Sequence, residues 1–303
     1  MKHLAIAISL FTISCTFSIA QDFIPLWPSG QMPNSKGMAL EEIIINNRIT
    51  QVDTPSIQCY FPPKEEINGC AVLICPSGGY VKLTYDLGGI QLAKWFNTLG
   101  VTAFVLKYRL PNSPDLEQRE IGPMQDAQRA MRIIRAHATE WKLDTNKIGI
   151  MGASAGGHLA STLSTHFKDV SKMNDSYDQY SFYPNFQILV SPVITMGEYA
   201  HKGSKTNLLG ENAPEDLIKA YSNELQVSPK TPPAFIVHAS NDRGVNPMNS
   251  ILFYEALLKN NISASLHTFP QGGHAIGVAK NPGSTKLWME LCREWLIEMG
   301  YMN

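Results

Sequence analysis

The chain has 303 residues, of which 44% are hydrophobic and 17% charged. This composition is typical of a globular protein large enough to bury a sizeable core. The formal net charge of −1 at pH 7 gives no electrostatic argument for a nucleic-acid or anionic-membrane partner, because both call for a surplus of Lys and Arg.

The first twenty residues differ in character from the rest. Lys2 is followed by an apolar run over residues 4–19, and the segment ends in small residues up to Ala20. A positive start, a short apolar stretch and a small-x-small end are typical of a secretory signal peptide. The sequence therefore predicts a signal peptide at 1–20 and a periplasmic or secreted mature chain with no membrane association after cleavage. A membrane anchor is the alternative, for which the run is short.

The mature chain, 21–303, alternates predicted strands with predicted helices, without a linker or a repeat. The lead-in 22–37 and the stretch 169–184 are expected to be loops. Continuous apolar runs such as C-A-V-L-I-C at 70–75 are typical of buried parallel strands. The strands are expected at 42–50, 57–61, 70–75, 101–107, 147–151, 186–190, 234–238 and 263–269, and the helices at 87–99, 126–141, 155–166, 214–221, 248–259 and 284–299. This alternation predicts one α/β domain, with a mostly parallel central sheet and helices on both faces.

One of these strands leads into the motif G-x-S-x-G. Gly152-Ala153-Ser154-Ala155-Gly156 follows a short apolar run and precedes small, helix-compatible residues. Such a strand, turn and helix would expose the Ser154 hydroxyl at the top of a sheet. Gly152 and Gly156 fit because a side chain beside so tight a turn would clash.

Two partners for this serine follow other predicted strands. Asp242 comes after the strand at 234–238, and His274 comes after the strand at 263–269. Sites in open α/β sheets form beyond the carboxyl ends of the strands. The order Ser, Asp, His is that of the α/β-hydrolase triad, so we expect these three side chains to meet.

Each residue type suits acyl transfer. A serine hydroxyl needs a base to accept its proton, and the imidazole of His274 can do so. Asp242 would accept the other ring N–H and fix the tautomer. The oxyanion of the tetrahedral intermediate needs N–H donors, for which Ala155 and either Gly79 or Gly78 are the candidates.

The chain resembles bacterial α/β-hydrolase esterases of the acetylxylan-esterase and feruloyl-esterase-like group. The matching motifs cover nearly all of the mature chain: Pro76-Ser77-Gly78-Gly79-Tyr80, Lys107-Tyr108-Arg109-Leu110, Asp126-Ala127-Gln128-Arg129-Ala130, Gly152 to His158, Pro232-Pro233-Ala234-Phe235 and Gly272-Gly273-His274. The resemblance implies an α/β-hydrolase fold and a carboxylic-ester hydrolase acting through a Ser-His-Asp acyl-enzyme. It also implies an ester of a polysaccharide such as xylan, or of a smaller molecule, as substrate.

Two positions depart from the group's pattern and bear on substrate choice. Ser77 stands where Gly is usual, and Ala275 follows His274 where Gly is usual. We expect Ser77 to narrow and polarise one wall of the acyl pocket, which favours acetyl over longer acyl groups. Tyr80 is expected either to contact substrate or to anchor its loop. Arg109 and Asp126 are expected to form a structural pair beneath the site.

Neither a Cys-x-x-Cys nor a His-x-x-x-His pair occurs, so no metal and no cofactor are predicted. The mature chain's four cysteines, at 59, 70, 75 and 292, fit buried thiols as well as one disulfide bond. Cys70 and Cys75 stand at opposite ends of one strand, too far apart to pair. A fifth cysteine, Cys15, lies in the predicted signal peptide, and the residues before it match a lipoprotein signal poorly.

Three other functions compete with an acetyl esterase. One is a feruloyl or other phenolic esterase. Another is a peptidase of the prolyl-oligopeptidase kind, which would normally carry a further large domain. The third is a non-catalytic carbohydrate-binding protein, against which a complete triad argues.

Overall fold

The computed structural model describes residues 23–274 and 276–303. The predicted signal peptide lies outside the described residues. The strands of the described part of the chain are β1 (Phe23–Pro25), β2 (Ile43–Ile45), β3 (Arg48–Gln51), β4 (Ser56–Tyr60), β5 (Ala71–Cys75), β6 (Thr102–Lys107), β7 (Ile148–Ala153), β8 (Gln187–Val190), β9 (Ala234–Ala239) and β10 (Ala264–Phe269). Eight of them form the central sheet, in the order β1-β4-β6-β5-β7-β8-β9-β10. β4 pairs antiparallel with both β1 and β6, and the remaining neighbouring pairs of the sheet, from β6 to β10, are parallel.

The helices pack around this sheet, as expected of an α/β-hydrolase. They are α1 (Gln91–Thr98), α2 (Gly122–Ala136), α3 (Ala155–Thr165), α4 (Lys202–Leu209), α5 (Glu215–Ala220), α6 (Met248–Lys259) and α7 (Trp288–Glu298). Every residue of β5 and β6 is buried. This explains their continuous apolar sequences, since strands covered on both faces need no polar alternation.

The N-terminal part of the described chain is more structured than predicted. Within the expected loop 22–37, β1 pairs with β4, and the indole N–H of Trp27 donates to Asp126 over 2.8 Å. The expected strand at 42–50 is instead the hairpin of β2 and β3. Asn46 and Asn47 have φ values of 49° and 58°, which is the two-residue turn that asparagine tolerates and that reverses a strand.

Two further helical features differ from prediction. α2 begins at Gly122 rather than at 126, with Pro123 in its first turn, a position where the missing proline N–H is harmless. α4 lies in a stretch expected to hold only the helix near 214–221. Among the described residues, no helix combines the length and apolar character needed to cross a bilayer.

The pair expected beneath the site is present. Arg109 and Asp126 are both buried, with 2.8 Å between guanidinium nitrogen and carboxylate oxygen. Asp126 also accepts the Arg109 backbone N–H, so this carboxylate holds the end of β6 against α2. The thiols of Cys70, Cys75 and Cys292 are buried and form no disulfide bond, as in one of the two alternatives.

Candidate active site

Ser154 lies at the turn between β7 and α3, with φ 55° and ψ −124°. A non-glycine residue held in this sparsely populated region stores backbone strain, a feature that clusters at active sites. The turn is possible because the residues two positions before and after Ser154 are glycines. A Cβ on Gly152 would lie 2.0 Å from the Gly156 carbonyl oxygen, and one on Gly156 would lie 2.1 Å from the Cys75 carbonyl oxygen.

The three residues predicted to meet are hydrogen-bonded in series. His274 Nε2 lies 2.8 Å from Ser154 Oγ, and His274 Nδ1 lies 2.7 Å from Asp242 Oδ2. Since Asp242 is an acceptor, Nδ1 carries the ring proton and Nε2 is free to accept from the serine hydroxyl. The imidazole is thus set in the tautomer that general-base catalysis requires.

Asp242 is fixed from several sides and its side chain is fully buried. Its Oδ1 accepts the backbone N–H groups of Gly244 at 2.8 Å and Val245 at 3.0 Å. Burial by itself raises the pKa of this carboxyl. The hydrogen bonds from His238, His274 and Val245 outweigh burial and hold the pKa well below its usual range. Asp242 is therefore a carboxylate at neutral pH.

His238 is a part of this arrangement that sequence reasoning missed. It is buried in β9, and its Nε2 lies 3.2 Å from Asp242 Oδ2 and 3.1 Å from the Val245 carbonyl oxygen. Since the carboxylate and the carbonyl oxygen can only accept, Nε2 carries a proton directed at these two groups. Nδ1 lies 2.7 Å from the Ser250 hydroxyl oxygen. The sequence analysis gave no role to the four-residue spacing between His238 and Asp242.

The loop after β5 lies beside the serine. Ser77, Gly78 and Gly79 line the same cleft as Ser154. Gly78 and Gly79 have φ values of 138° and 64°, in the left-handed region that favours glycine. Ala155 is the first residue of α3, where a backbone N–H has no acceptor within the helix. The predicted oxyanion donors thus lie on two elements that flank the serine.

The Tyr80 side chain is not placed to contact substrate, and that expectation needs correction. It is 1% exposed, lies outside the cleft lining and donates its hydroxyl hydrogen to His158 Nδ1 at 2.8 Å. His158 in turn donates from Nε2 to the Tyr221 carbonyl oxygen at 2.8 Å. Tyr80 therefore anchors the loop after β5 to α3, the other role considered for it.

Ser77 lines the cleft as expected, but its hydroxyl is not a free polar wall. It is hydrogen-bonded to the Thr84 hydroxyl. Thr84 also donates to the Ser77 carbonyl oxygen. The argument that an unpartnered Ser77 hydroxyl would reject long acyl chains therefore fails, because Thr84 satisfies it.

The cleft around Ser154 has a volume of about 790 Å³. This size suits a ligand larger than a single acyl group. It is lined by apolar residues that include Leu87, Leu92 and Val278, and by polar ones that include Lys82 and Gln91. Among the described residues, no cluster of three or more His, Cys, Asp or Glu could hold a metal ion.

His201 is a second functional candidate to which the sequence analysis gave no role. It stands at the N-terminus of α4 and lines the cleft with His274. Asn207, later in α4, donates from Nδ2 to the Gly79 carbonyl oxygen at 2.8 Å. α4 is therefore one wall of the site and also holds the loop after β5.

Comparison with known proteins places this geometry in a family. The BD-FAE family model matches residues 57–257. An "Acetylxylan esterase" from Xylanibacter ruminicola is 39% identical over 224 residues, covering 72% of this chain and 43% of the relative. An "Endo-1,4-beta-xylanase B" from Butyrivibrio fibrisolvens is 36% identical over 229 residues, covering 75% of this chain and 35% of the relative. The chain thus spans less than half the length of these two relatives.

Solved structures give the same picture over nearly the whole chain. An acetyl ester-xyloside bifunctional hydrolase from Caldicellulosiruptor lactoaceticus is 35% identical with a TM-score of 0.79, covering 93% of this chain and 98% of that one. A thermophilic esterase from Thermogutta terrifontis is 25% identical with a TM-score of 0.67, covering 90% and 97%. The chain belongs to the BD-FAE family and, within the α/β-hydrolases, to the acetylxylan-esterase and feruloyl-esterase-like group of esterases.

Proposed function

We propose that this protein is a secreted or periplasmic serine esterase that removes acetyl groups from xylan-type polysaccharide or its oligosaccharides. The observation that carries the proposal is the hydrogen-bonded series Asp242, His274 and Ser154 at the cleft. The family supports the choice of an ester bond to a glycan, as do the relatives described as an acetylxylan esterase and as an acetyl ester-xyloside hydrolase.

In the acylation step, His274 Nε2 takes the proton of Ser154 Oγ as that oxygen attacks the acyl carbonyl carbon. Asp242 stabilises the imidazolium that results. The carbonyl oxygen becomes an oxyanion, for which the N–H groups of Ala155 and of Gly79 or Gly78 serve as donors. His274 then returns the proton to the departing sugar oxygen, which leaves as a free hydroxyl.

In the deacylation step, water repeats the sequence on the acyl-serine. His274 accepts a proton from water, the hydroxide oxygen attacks the carbonyl carbon, and the Ser154 oxygen leaves with the proton from His274. Acetate and free serine result. Each role is filled by a side chain or backbone group of the chain, so no metal ion and no cofactor enters the proposed reaction.

The preference for acetyl rests on the relatives rather than on Ser77, whose hydroxyl already has a partner. The cleft is large enough for a glycan alcohol beside a small acyl group. The export part of the proposal rests on the signal-peptide pattern at residues 1–20.

The test uses the purified mature chain on a panel of acetylated xylan, acetylated xylo-oligosaccharides, a feruloylated glycan and an aminoacyl anilide. We expect acetate release from the first two. Feruloyl release without acetate release would move the enzyme to the phenolic esterases, and anilide cleavage alone would make it a peptidase. No release from any of them would overturn the proposal. Ser154→Ala is the control for contaminating activity.

A further inference from the structure

His201 lines the cleft and carries one ring proton, on the nitrogen that does not cap α4. Its Nδ1 lies 3.1 Å from the Ser204 backbone nitrogen and 2.8 Å from the Ser204 hydroxyl oxygen. A backbone N–H can only donate, so Nδ1 is an acceptor and the ring proton is on Nε2. Among the described residues, Nε2 has no hydrogen-bond partner, and His201 is part of the cleft lining.

The hydrogen bond from the Ser204 N–H to Nδ1 caps the N-terminus of α4 and also keeps the His201 ring neutral. A protonated ring would carry a hydrogen on Nδ1, which would face the Ser204 N–H. Burial lowers the pKa of His201, and the nearby His274 lowers it further, while Asp242 acts in the opposite direction. His201 is thus a fixed neutral donor rather than a second general base.

The position of His201 favours the alcohol half of the substrate. His201 lines the same cleft as His274, on the wall that α4 forms. His274 hands its proton to the departing alcohol, so the space beside it holds the leaving group. The oxyanion donors lie elsewhere, on α3 and on the loop after β5.

We infer that His201 is a specificity-determining residue whose Nε2–H donates a hydrogen bond to an oxygen of a polyhydroxylated alcohol, such as the sugar that carries the ester. This rests on the proposed esterase function. A sugar supplies hydroxyl and ring oxygens beside the ester, whereas a simple aryl alcohol supplies none. A donor left without a partner in a bound complex disfavours the aryl ester.

The test compares kcat/KM on an acetylated xylo-oligosaccharide with kcat/KM on phenyl acetate. Two variants separate substrate binding from helix capping. His201→Phe removes both the donor and the cap. His201→Asn keeps a side-chain oxygen that can cap the Ser204 N–H, but its side chain is shorter than histidine, so the amide N–H does not reach the place of the ring Nε2–H. In both variants we expect the ratio of the two kcat/KM values to fall about tenfold, since the contribution is one hydrogen bond. Lys202→Asn, exposed and outside the cleft lining, is the matched control and should leave the ratio unchanged.

The outcomes are distinguishable. An unchanged ratio in both variants overturns the inference, and so does a loss in His201→Phe that His201→Asn restores, because capping alone would then explain it. A wild-type enzyme that cleaves phenyl acetate but no sugar ester also overturns it while leaving an esterase. Failure of the wild type on every ester is a failure of the proposed function itself.

Discussion

Ser154 joins an uncommon backbone conformation to a hydroxyl that is already hydrogen-bonded to His274. The strain is supported by close backbone packing of Gly152 and Gly156. The proposed nucleophile is therefore placed before substrate arrives, which is the pre-organisation that acyl transfer uses.

Ser154→Ala is expected to lower kcat on acetate esters by about 10⁴-fold to 10⁶-fold, because no other group supplies the covalent intermediate. Burst-phase kinetics and steady-state acetate release measure this, with the thermal midpoint as a check on folding. A variant that retained a tenth of wild-type turnover would mean that another residue is the nucleophile.

A substitution at His238 tests whether its hydrogen bond to Asp242 contributes to turnover. His238→Gln replaces the rigid ring N–H directed at the carboxylate by a flexible amide N–H that repeats the hydrogen bond imperfectly, while Asp242 keeps its two backbone donors. We expect kcat to fall about tenfold to a hundredfold with little change in KM, since the misplacement affects the proton transfer and not binding. Asp242→Asn should cost about 10⁴-fold by favouring the wrong tautomer.

The matched control is His267→Gln. His267 lies on the neighbouring strand β10, opposite Val237 in register, with its ring centroid 5.0 Å from that of Phe235. In the part of the chain that the structure describes, His267 forms no hydrogen bond with Asp242. Wild-type kcat in His238→Gln, or equal losses in the two variants, would show that His238 only fills the core.

At the scale of the element, the turn from β7 into α3 is a packing feature as well as a catalytic one. Gly156 lies against the end of β5, where an added Cβ would be 2.1 Å from the Cys75 carbonyl oxygen. A backbone atom cannot move aside as a flexible side chain can. Gly156→Ala should therefore lower the free energy of unfolding by about 3 kcal/mol.

Urea unfolding followed by circular dichroism measures this loss. Gly197→Ala is the control, because the nearest atom to its added Cβ is the Thr195 hydroxyl oxygen at 3.3 Å, where a shift of a few tenths of an ångström is enough. We expect its change to stay below about 1 kcal/mol. If Gly156→Ala unfolds at the wild-type urea concentration, the close approach of α3 and β5 is not a constraint.

Elements with strong local signals could be predicted from the sequence, and elements made by tertiary contacts could not. β5, β6 and α6 are where the apolar patterns place them, within a residue at each end. α4 has the sequence K-G-S-K-T-N-L-L, rich in weak helix formers. The His201 side chain caps its first turn, and the distant Arg119 guanidinium donates to the Asn207 carbonyl oxygen in its last turn.

The same distinction holds for the site. The order of Ser154, Asp242 and His274 along the chain was informative because parallel strands bring their carboxyl ends to one edge. The positions of Tyr80, His201 and His238 depend on which way each side chain turns. For Tyr80 the direction is set by a partner distant in the chain, His158, which is 78 positions away. The partners of His201 and His238 include Ser204 and Asp242, three and four positions away, but such a spacing outside a regular helix does not predict that two side chains meet.

At the scale of the whole molecule, one buried histidine joins three parts of the fold. His158 in α3 accepts from Tyr80 and donates to the Tyr221 carbonyl oxygen. Both ring nitrogens are occupied in a way that only the neutral imidazole satisfies. Burial lowers the pKa of His158 to about 4, with His166 acting in the same direction and the Tyr221 carbonyl opposing it.

This lowered pKa predicts how stability depends on pH. The unfolded chain binds a proton at His158 with a pKa of about 6.5, so between pH 6.5 and 4 the unfolded state holds more protons than the folded state. The contribution to stability is therefore complete above pH 6.5 and is lost as pH falls towards 4. From pH 7.5 to 4.5 the loss is about 2–3 kcal/mol.

The carboxylates of Asp169 and Asp175 act in a different pH window. For Asp169, burial raises the pKa, but hydrogen bonds from Arg132 outweigh it, and for Asp175 the hydrogen bonds from Arg129 lower the pKa directly. These groups stabilise the fold above the unfolded pKa of about 4, and that contribution is lost only as pH falls below it. Loss of stability between pH 6.5 and 4.5 therefore belongs to the histidines with lowered pKa values.

Urea unfolding of wild type and His158→Gln at pH 7.5, 6.5, 5.5 and 4.5 measures how much His158 contributes to the pH dependence of the free energy of unfolding. The variant should be less stable at pH 7.5, because glutamine repeats the two hydrogen bonds imperfectly, but it should lose about 2–3 kcal/mol less than wild type on going to pH 4.5. His166, His201 and His267 also have lowered pKa values, and their effect cancels in this difference. Parallel pH curves for the two proteins would mean that His158 takes up its proton without unfolding the chain, and the joint between α3, the loop after β5 and Tyr221 would then tolerate a charge.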